Sequence, residues 1–475
     1  MSRFLPLCLV FLSSFGIVLS ASSCADGSPN DAGVVDFEDA GFVDFDAGPV
    51  SSKDAGEDAG EDAGATMDGG TTTFSYPILD TFQSSCYDVA GLEQACDDAS
   101  GQDAAYATRS ANFVNNDDGT VGELHSGMVW QRHHSEAMPY SDAADYCETL
   151  DLGGQSDWRL PSIKELYALI HFDGHTGIQN DEVNSWTPAN WKLYIDGSYD
   201  VTDDEALFIQ EYGNESTGSR ILDCQVWSSS DPVANTMNNN DSVLGGNFCD
   251  GRIKSYPKNS AKFTKCVRGG EGYGVNDFVL SDEGKTVSDK STGLMWTKAY
   301  SNATDTFPSV ASISLGDGSM PWTDALEFCE SLDFAGKTDW KLPDIKELQS
   351  IVAYAIGEPA IDTNFFDLDA IQAPDHCNGG TFTTFPYFWS STTHVEYSVP
   401  QSSIRGDKAA YIAFGKAWGS MNQGETWIDA HGPGAQRSDP KSGDPADQRI
   451  RCGFGPQGDY IGIHNWVRCV RVVQP

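Results

Sequence analysis

Basic residues are scarce in this chain. Its 475 residues include 29 Lys and Arg against 70 Asp and Glu, which gives a formal net charge of -41. A surface of that sign repels nucleic acid backbones and anionic lipid headgroups. The composition therefore argues against nucleic acid as a partner.

The best-known catalytic motifs are also missing. The chain has no Gly-x-Ser-x-Gly nucleophile elbow, no His-Glu-x-x-His helix and no phosphate-binding glycine loop. It has no Cys-x-x-Cys spacing, which argues against a structural zinc site. From these absences we predict neither an enzyme nor a bound cofactor.

Long apolar runs are confined to the first residues. Arg3 precedes an apolar stretch over residues 4–19, which is too short and interrupted for a membrane span of about 20 residues. We predict a signal peptide over residues 1–23. Cys24, after three small residues, resembles the lipidated cysteine of a bacterial lipobox, with ordinary cleavage near Ser22 or Ser23 as the alternative. The predicted location is the outer membrane or cell surface, with membrane contact only through this anchor.

Residues 24–70 are a low-complexity segment rich in Asp, Ala and Gly. Such a composition cannot bury a core, and its carboxylates repel one another. The glycines fall irregularly or at a period of four, whereas collagen needs one at every third position. We predict a disordered tether.

The rest of the chain contains one domain twice. The block Asp-Trp-Arg-Leu-Pro-Ser-Ile-Lys-Glu-Leu at residues 157–166 returns as Asp-Trp-Lys-Leu-Pro-Asp-Ile-Lys-Glu-Leu at 339–348, with other shared blocks in the same order. A repeat inside one chain shows which positions both copies keep. We predict a first domain with its lead-in at 71–272 and a second domain at 273–475.

Each copy shows the same order of predicted elements. A β-hairpin around residues 113–130 is matched around 278–296. A helix follows, with Ser141 or Thr323 as its cap, and then a second helix that starts with a capping box, Ser162 with Glu165 or Asp344 with Glu347. A strand-rich second half closes each copy. This order predicts an α+β fold.

Ten cysteines remain once Cys8 in the signal peptide and Cys24 are set aside. An even number outside the cytoplasm implies disulfides. Four cysteines in one copy permit three pairings, and the equivalence of the copies favours the first helix joined to the last strand. The predicted pairs are Cys86–Cys96, Cys147–Cys266, Cys224–Cys249, Cys329–Cys469 and Cys377–Cys452.

The shared blocks resemble the Lcl C-terminal domain family, named after a collagen-like adhesin. They are the Gly-Met-Val-Trp and Gly-Leu-Met-Trp turns, the Asp-Trp-Arg-Leu-Pro-Ser block, Trp-Ser-Ser, and the closing Cys-Val-Arg. The block is also similar to the sulfatase-modifying group, so the resemblance implies two disulfide-stapled domains with a C-type-lectin-like core. The calcium and sugar motifs of C-type lectins, Glu-Pro-Asn, Gln-Pro-Asp and Trp-Asn-Asp, are absent.

Several residues invite a chemical interpretation beside a structural one. His133, His134 and Glu136 could bind metal or move protons, but the second copy has Thr-Lys-Ala there. Glu165 and Glu347 could act as an acid or base, although capping explains them. The hairpin acids and the paired tryptophans could bind calcium and sugar rings, but turns and core positions account for them. These are Asp117, Asp118, Asp282 and Glu283, and Trp130, Trp158, Trp227, Trp296, Trp340 and Trp389.

We therefore predict a non-enzymatic module for binding or adhesion at the cell surface. The predicted ligand is a glycan or a surface protein, bound by loops that differ between the copies. The family's association with sulfated polysaccharides conflicts with the acidic balance of this chain. The alternatives are an exported enzyme acting on cell-wall or extracellular polymers and a structural spacer in the envelope.

Overall fold

The computed structural model divides the chain into two units, residues 1–64 and 65–475. The predicted signal peptide, Cys24 and nearly all of the tether lie in the first unit, outside the described residues. In the described part no helix is long and apolar enough to cross a membrane. The structure describes residues 74–96, 101–106, 111–177, 191–213, 219–232, 235–237, 239–310, 316–375, 378–398, 403–420, 426–443 and 458–473.

The lead-in before the first copy contains two short strands, β1 (Cys86–Tyr87) and β2 (Glu93–Gln94), and a 3-10 turn at Asp103–Ala105. The first copy then contributes helices α1 (Tyr140–Glu148) and α2 (Ile163–Ala168). Its strands are β3 (Phe113–Asn115), β4 (Thr120–Glu123), β5 (Met128–Gln131), β6 (Met138–Pro139), β7 (Gly197–Ser198), β8 (Phe208–Ile209), β9 (Gln225–Trp227), β10 (Ser242–Asn247), β11 (Arg252–Pro257), β12 (Ala261–Lys262) and β13 (Val267–Gly269).

The second copy contributes helices α3 (Trp322–Glu330) and α4 (Ile345–Ser350). Its strands are β14 (Phe278–Leu280), β15 (Thr286–Asp289), β16 (Leu294–Thr297), β17 (Ile371–Pro374), β18 (Thr381–Thr384), β19 (Tyr387–Ser398), β20 (Ser403–Ala413), β21 (Trp418–Ser420), β22 (Trp427–Asp429), β23 (Gln436–Pro440), β24 (Gly458–Asp459) and β25 (Val470–Val472).

The predicted hairpins and closing strands are confirmed in both copies. The first copy forms an antiparallel sheet in the order β13-β5-β4-β3, and the second copy forms its counterpart, β25-β16-β15-β14. The repeated block is tied to the closing strand by a single bridge in each copy, Arg159 to Val267 and Lys341 to Val470. Arg159 and Lys341 therefore occupy equivalent places.

The capping boxes of α2 and α4 are confirmed, but the caps predicted for the preceding helices are wrong. Ser162 accepts from the Glu165 amide, and Asp344 accepts from the Glu347 amide, while each glutamate accepts from the cap amide in return. Pro139 takes the cap position before α1, two residues earlier than predicted. Ser141 therefore lies inside the first turn and donates to Asp142 instead.

The two copies share one six-stranded antiparallel sheet, in the order β9-β10-β11-β23-β20-β19. Its two halves meet where Ile253 in β11 pairs with Gln436 in β23. The outer strands β9 and β19 contain the tryptophans of the equivalent Trp-Ser-Ser blocks, so the sheet begins and ends on equivalent strands of the two copies. The copies are thus arranged like the subunits of a two-fold symmetric dimer within one chain.

The predicted α+β fold with a C-type-lectin-like core is wrong. The described residues are β-rich, with 33% strand and 10% helix, and the four helices among them accompany many small sheets. The helices were correctly placed but are only nine or six residues long. Because β11 of the first copy pairs with β23 of the second, one sheet continues through both copies, and the short helices cover a small part of this framework.

Disulfides join the ends of each copy. The structure pairs Cys147 with Cys266 and Cys329 with Cys469, the pairs that the equivalence of the copies favours. It also pairs Cys86 with Cys96 and Cys224 with Cys249. The long bridges link α1 and α3 to the residue just before the closing strand. The remaining predicted pair, Cys377–Cys452, lies outside the described residues.

Candidate functional site

The repeated block is structural in both copies. The guanidinium of Arg159 donates to both carboxylate oxygens of Glu165, and the ammonium of Lys341 donates to Glu347 at 2.5 Å. Both glutamates are buried and also cap a helix. Their oxygens are held by a cation and a backbone amide, so we assign them no role as acid or base.

The paired tryptophans belong to the core. The indole of Trp227 donates to the Met138 carbonyl at 2.9 Å, and Trp389 donates to the equivalent carbonyl of Met320 at 3.0 Å. Rings buried in this way have no free face for a sugar. All six are at most 2% exposed: Trp130, Trp158, Trp227, Trp296, Trp340 and Trp389.

The histidines do not form a catalytic cluster with Glu136. The His134 ring contacts the Ser135 carbonyl and accepts from the Glu211 amide, and burial lowers its pKa to about 4. Burial also lowers the pKa of His133, whose ring lies beside Arg132. Glu136 is exposed. A carboxylate oxygen of Glu211, rather than of Glu136, lies 3.8 Å from Nε2 of His134.

The hairpin acids serve their own loops. Asp118 accepts from both the amide and the hydroxyl of Thr120, and Glu283 pairs with Lys285 at 2.8 Å. Asp117 adopts a positive φ of 59° in the turn. Among the described residues no group of three or more His, Cys, Asp or Glu side chains could hold a metal ion.

Two lysines of the repeated block join the copies reciprocally. Lys164 in α2 donates to the carbonyl of Ser350 at the end of α4 at 2.6 Å, and Lys346 in α4 donates to the carbonyl of Ala168 at the end of α2 at 3.0 Å. Burial lowers the pKa of Lys164 to about 7 and that of Lys346 to about 8. Each ammonium satisfies carbonyls left free at the other helix's C-terminus.

The lead-in packs on the second copy. Gly101 has a φ of +85°, and a Cβ there would lie 3.1 Å from Leu326 in α3, so glycine permits the close approach. The hydroxyl of Thr392 donates to the buried carboxylate of Asp103. The amide of Gln83 donates to the Thr393 carbonyl at 2.7 Å, and the Thr393 amide donates back at 2.8 Å. This part of the lead-in covers the second copy, while other lead-in residues contact the first copy: the Phe172 amide donates to the Thr81 carbonyl, and the Phe82 ring stacks on His171.

A groove of about 550 Å³ lies between the lead-in and the outer face of α3. The lead-in forms one wall, and α3 with the residue after it forms the other. The lining residues are Tyr87, Asp88, Val89, Gln94 and Gln102 from the lead-in, and Trp322, Thr323, Leu326, Glu327, Glu330 and Ser331. We call this cleft the α3 groove.

Three carboxylates give the α3 groove its charge. Glu327 is exposed, Glu330 accepts from the Tyr106 hydroxyl, and Asp88 accepts from the Leu92 amide at 2.8 Å. The nearby Lys441 lies 4.0 Å from the centre of the Trp322 ring and donates to the Thr393 hydroxyl and the Tyr87 carbonyl. Its burial lowers its pKa to about 7. No lysine or arginine is among the lining residues.

The first copy has the same helix face without the covering segment. Tyr140, Ala144 and Asp145 stand where α3 has Trp322, Leu326 and Glu327. Tyr140 and Ala144 are half-exposed, whereas Trp322 and Leu326 are buried. The equivalent face of α1 in the first copy therefore lacks the wall that the lead-in supplies to the α3 groove.

The Lcl C-terminal domain model matches residues 119–268 and 285–428, which together are more than half of the chain. The chain belongs to the Lcl C-terminal domain family. The two matches confirm the family and the tandem arrangement predicted from the repeated blocks. Searches of curated proteins and of solved structures find no match. Lcl C-terminal domains are associated with adhesins and are not an enzyme family.

The α3 groove was missed in the sequence because half of it comes from outside the repeat. The sequence predicts the lead-in as part of the first domain, at 71–272, and gives no sign that it contacts the second copy. Gln83, Gly101 and Asp103 lie far from Thr393, Leu326 and Thr392 along the chain. The one available signal was the larger apolar residue on α3, Leu326 against Ala144, which indicates that this helix face is covered.

Proposed function

We propose that this protein is a non-enzymatic binding module of the adhesin type, and that its ligand, a glycan or a surface protein, binds in the α3 groove. The observation that carries the proposal is the groove itself. It joins apolar and carboxylate side chains in one concave surface, which is the usual form of a specific binding site. The candidate acids Glu165, Glu347, Asp118 and Glu283 are occupied in ion pairs, caps and turns.

We also propose that the protein acts at the bacterial cell surface. Export through residues 1–23 and lipidation at Cys24 would anchor it, and the acidic segment that follows would hold the folded part away from the membrane. The disulfides support this location, because such bridges persist in oxidising compartments.

The test is a screen of the full chain against glycans, surface polymers and surface proteins, with and without calcium. Thr323→Tyr places a ring at an exposed position in the α3 groove, and Ser141→Tyr is its matched control on α1. The proposal predicts that Thr323→Tyr weakens capture at least tenfold and that Ser141→Tyr changes it less than twofold. Capture that both variants leave intact would contradict the assignment of the groove.

A further inference from the structure

The α3 groove combines apolar surface with acid. Val89 is 39% exposed at its edge, and Leu326 lies at its base. Glu327 on α3 and Asp88 on the lead-in place carboxylates on opposite walls. A ligand that fits both features has an apolar side chain and a positive charge close together.

Among the described residues no ion pair involves Glu327, so this acid of the α3 groove is not neutralised by a neighbouring cation. The ammonium of Lys441 lies 4.0 Å from the centre of the Trp322 ring and donates to the Thr393 hydroxyl, and its charge interacts with Asp88. On the adjoining strand β20, Lys408 pairs with Glu396. A positive charge supplied by a ligand would therefore meet carboxylates without a competing lysine in the lining.

The geometry argues against sugars as the ligand of this groove. A neutral glycan is usually held by the open face of an aromatic ring, but Trp322 is fully buried and Lys441 lies 5.7 Å from the centre of the Tyr87 ring. A sulfated glycan would meet like charge from Asp88 and Glu327. A neutral glycan would therefore lack an open aromatic face to stack on, and a sulfated glycan would lack a cation to pair with.

We infer that the α3 groove binds a basic, apolar segment of a partner protein, in which Lys or Arg side chains alternate with apolar ones. This inference rests on the proposed function and names the ligand class of the same site. The apolar side chains enter between Val89 and Leu326, and the cations pair with Glu327 and Asp88. The net negative charge of the chain attracts basic partners in general, and the carboxylates of the groove determine where the basic segment binds.

The experiment measures binding of a synthetic ten-residue peptide of alternating Lys and Leu to the full chain. A peptide with Gln in place of Lys and a neutral oligosaccharide serve as the other two probes. Glu327→Lys reverses one charge in the groove, and Asp145→Lys makes the same change at the equivalent position of α1. Both variants have the same net charge, so only the location of the change differs.

We expect Glu327→Lys to weaken binding of the Lys-Leu peptide roughly tenfold and Asp145→Lys to weaken it less than twofold, because only Glu327 faces the groove. The Gln-Leu peptide should bind at least tenfold more weakly than the Lys-Leu peptide. Equal losses for the two variants would show attraction to the acidic surface as a whole and would overturn the inference. Binding of the oligosaccharide that Thr323→Tyr abolishes would overturn it as well.

The two proposals fail in different ways. If Thr323→Tyr abolishes capture of a natural ligand and Glu327→Lys has no effect, the α3 groove is the binding site but its ligand is not a basic segment. If neither variant alters capture, the groove is not the site. Circular dichroism and thermal melting of each variant confirm that the fold is retained.

Discussion

The two copies differ most at their first helices. In the first copy α1 buries Ala143 and Cys147, whereas in the second copy α3 buries five residues, among them Trp322, Leu326 and Phe328. Part of the cause lies outside the repeat, because the lead-in lines a groove with Trp322 and Leu326 of α3. Phe328 is instead packed by Phe307 from within the second copy. The comparison shows how a duplicated framework gains a difference between its copies: the repeat supplies two similar helix faces, and one added segment makes a groove over α3.

The largest expected difference concerns the aromatic residue at the start of each helix. Trp322→Ala removes a fully buried ring and should lower the free energy of unfolding by about 3–5 kcal/mol, whereas Tyr140→Ala should cost about 1 kcal/mol because Tyr140 is half-exposed. Urea unfolding of both variants measures the two values. Similar losses would show that the lead-in does not distinguish the copies.

The reciprocal lysines should respond alike in both copies. Lys164→Met and Lys346→Met each remove buried bonds to the other copy and leave helix carbonyls without their donor. We expect each to lower the free energy of unfolding by about 2 kcal/mol. Lys290→Met, at an exposed turn, is the control and should change stability by less than about 0.5 kcal/mol. A loss confined to one of the two lysines would break the symmetry of the interface.

Asp103 should make the lead-in contact sensitive to pH. Burial raises the pKa of its carboxyl to about 6, against hydrogen bonds from Thr392 and Thr81 and the charge of Lys341, with Asp80 adding to the rise. The folded state then holds this proton more tightly than the unfolded chain. Its contribution to stability therefore falls as the pH rises from about 4 to about 6.

Asp103→Asn should remove that dependence. We expect the loss of stability between pH 4 and pH 7 to shrink by ~1–3 kcal/mol in the variant, measured as the difference between its unfolding free energies at the two pH values. Asp118→Asn, in the exposed hairpin turn, controls for the general effect of removing a carboxylate. An unchanged pH profile for Asp103→Asn would contradict the assignment.

The smallest expected effect concerns a surface ion pair that both copies keep. Arg268 pairs with Asp157 in the first copy, and Arg471 pairs with Asp339 in the second. Both carboxylates lie at the surface, so Arg268→Ala and Arg471→Ala should each change stability by about 0–1 kcal/mol. Chemical unfolding of both variants checks this. A larger loss of unfolding free energy in one copy would contradict the equivalence of the two ion pairs.

Local structure could be predicted from the sequence because its causes are local. The capping box of Ser162 and Glu165 is a contact between residues three apart, and the tryptophans of the Trp-Ser-Ser blocks lie in the strands β9 and β19. The repeat itself located these features, because both copies keep them.

The architecture could not be predicted because its causes are contacts between distant segments. Lys164 and Lys346 were visible as repeated lysines among apolar residues, but the sequence does not show that each binds the opposite copy. The pairing of Ile253 with Gln436 and the docking of Gln83 on Thr393 likewise join residues about 180 and 310 positions apart. The α+β fold failed for this reason, and the α3 groove was missed for the same one.

The central claim is that the two copies form one folded unit across their shared sheet. The most direct test is a protease site inserted at the exposed link between Glu271 and Gly272 in the full chain, followed by cleavage under native conditions. The halves should remain together as a 1:1 particle on size-exclusion chromatography and should unfold in one transition. Halves that separate without denaturant, or that unfold in two independent transitions, would contradict the claim.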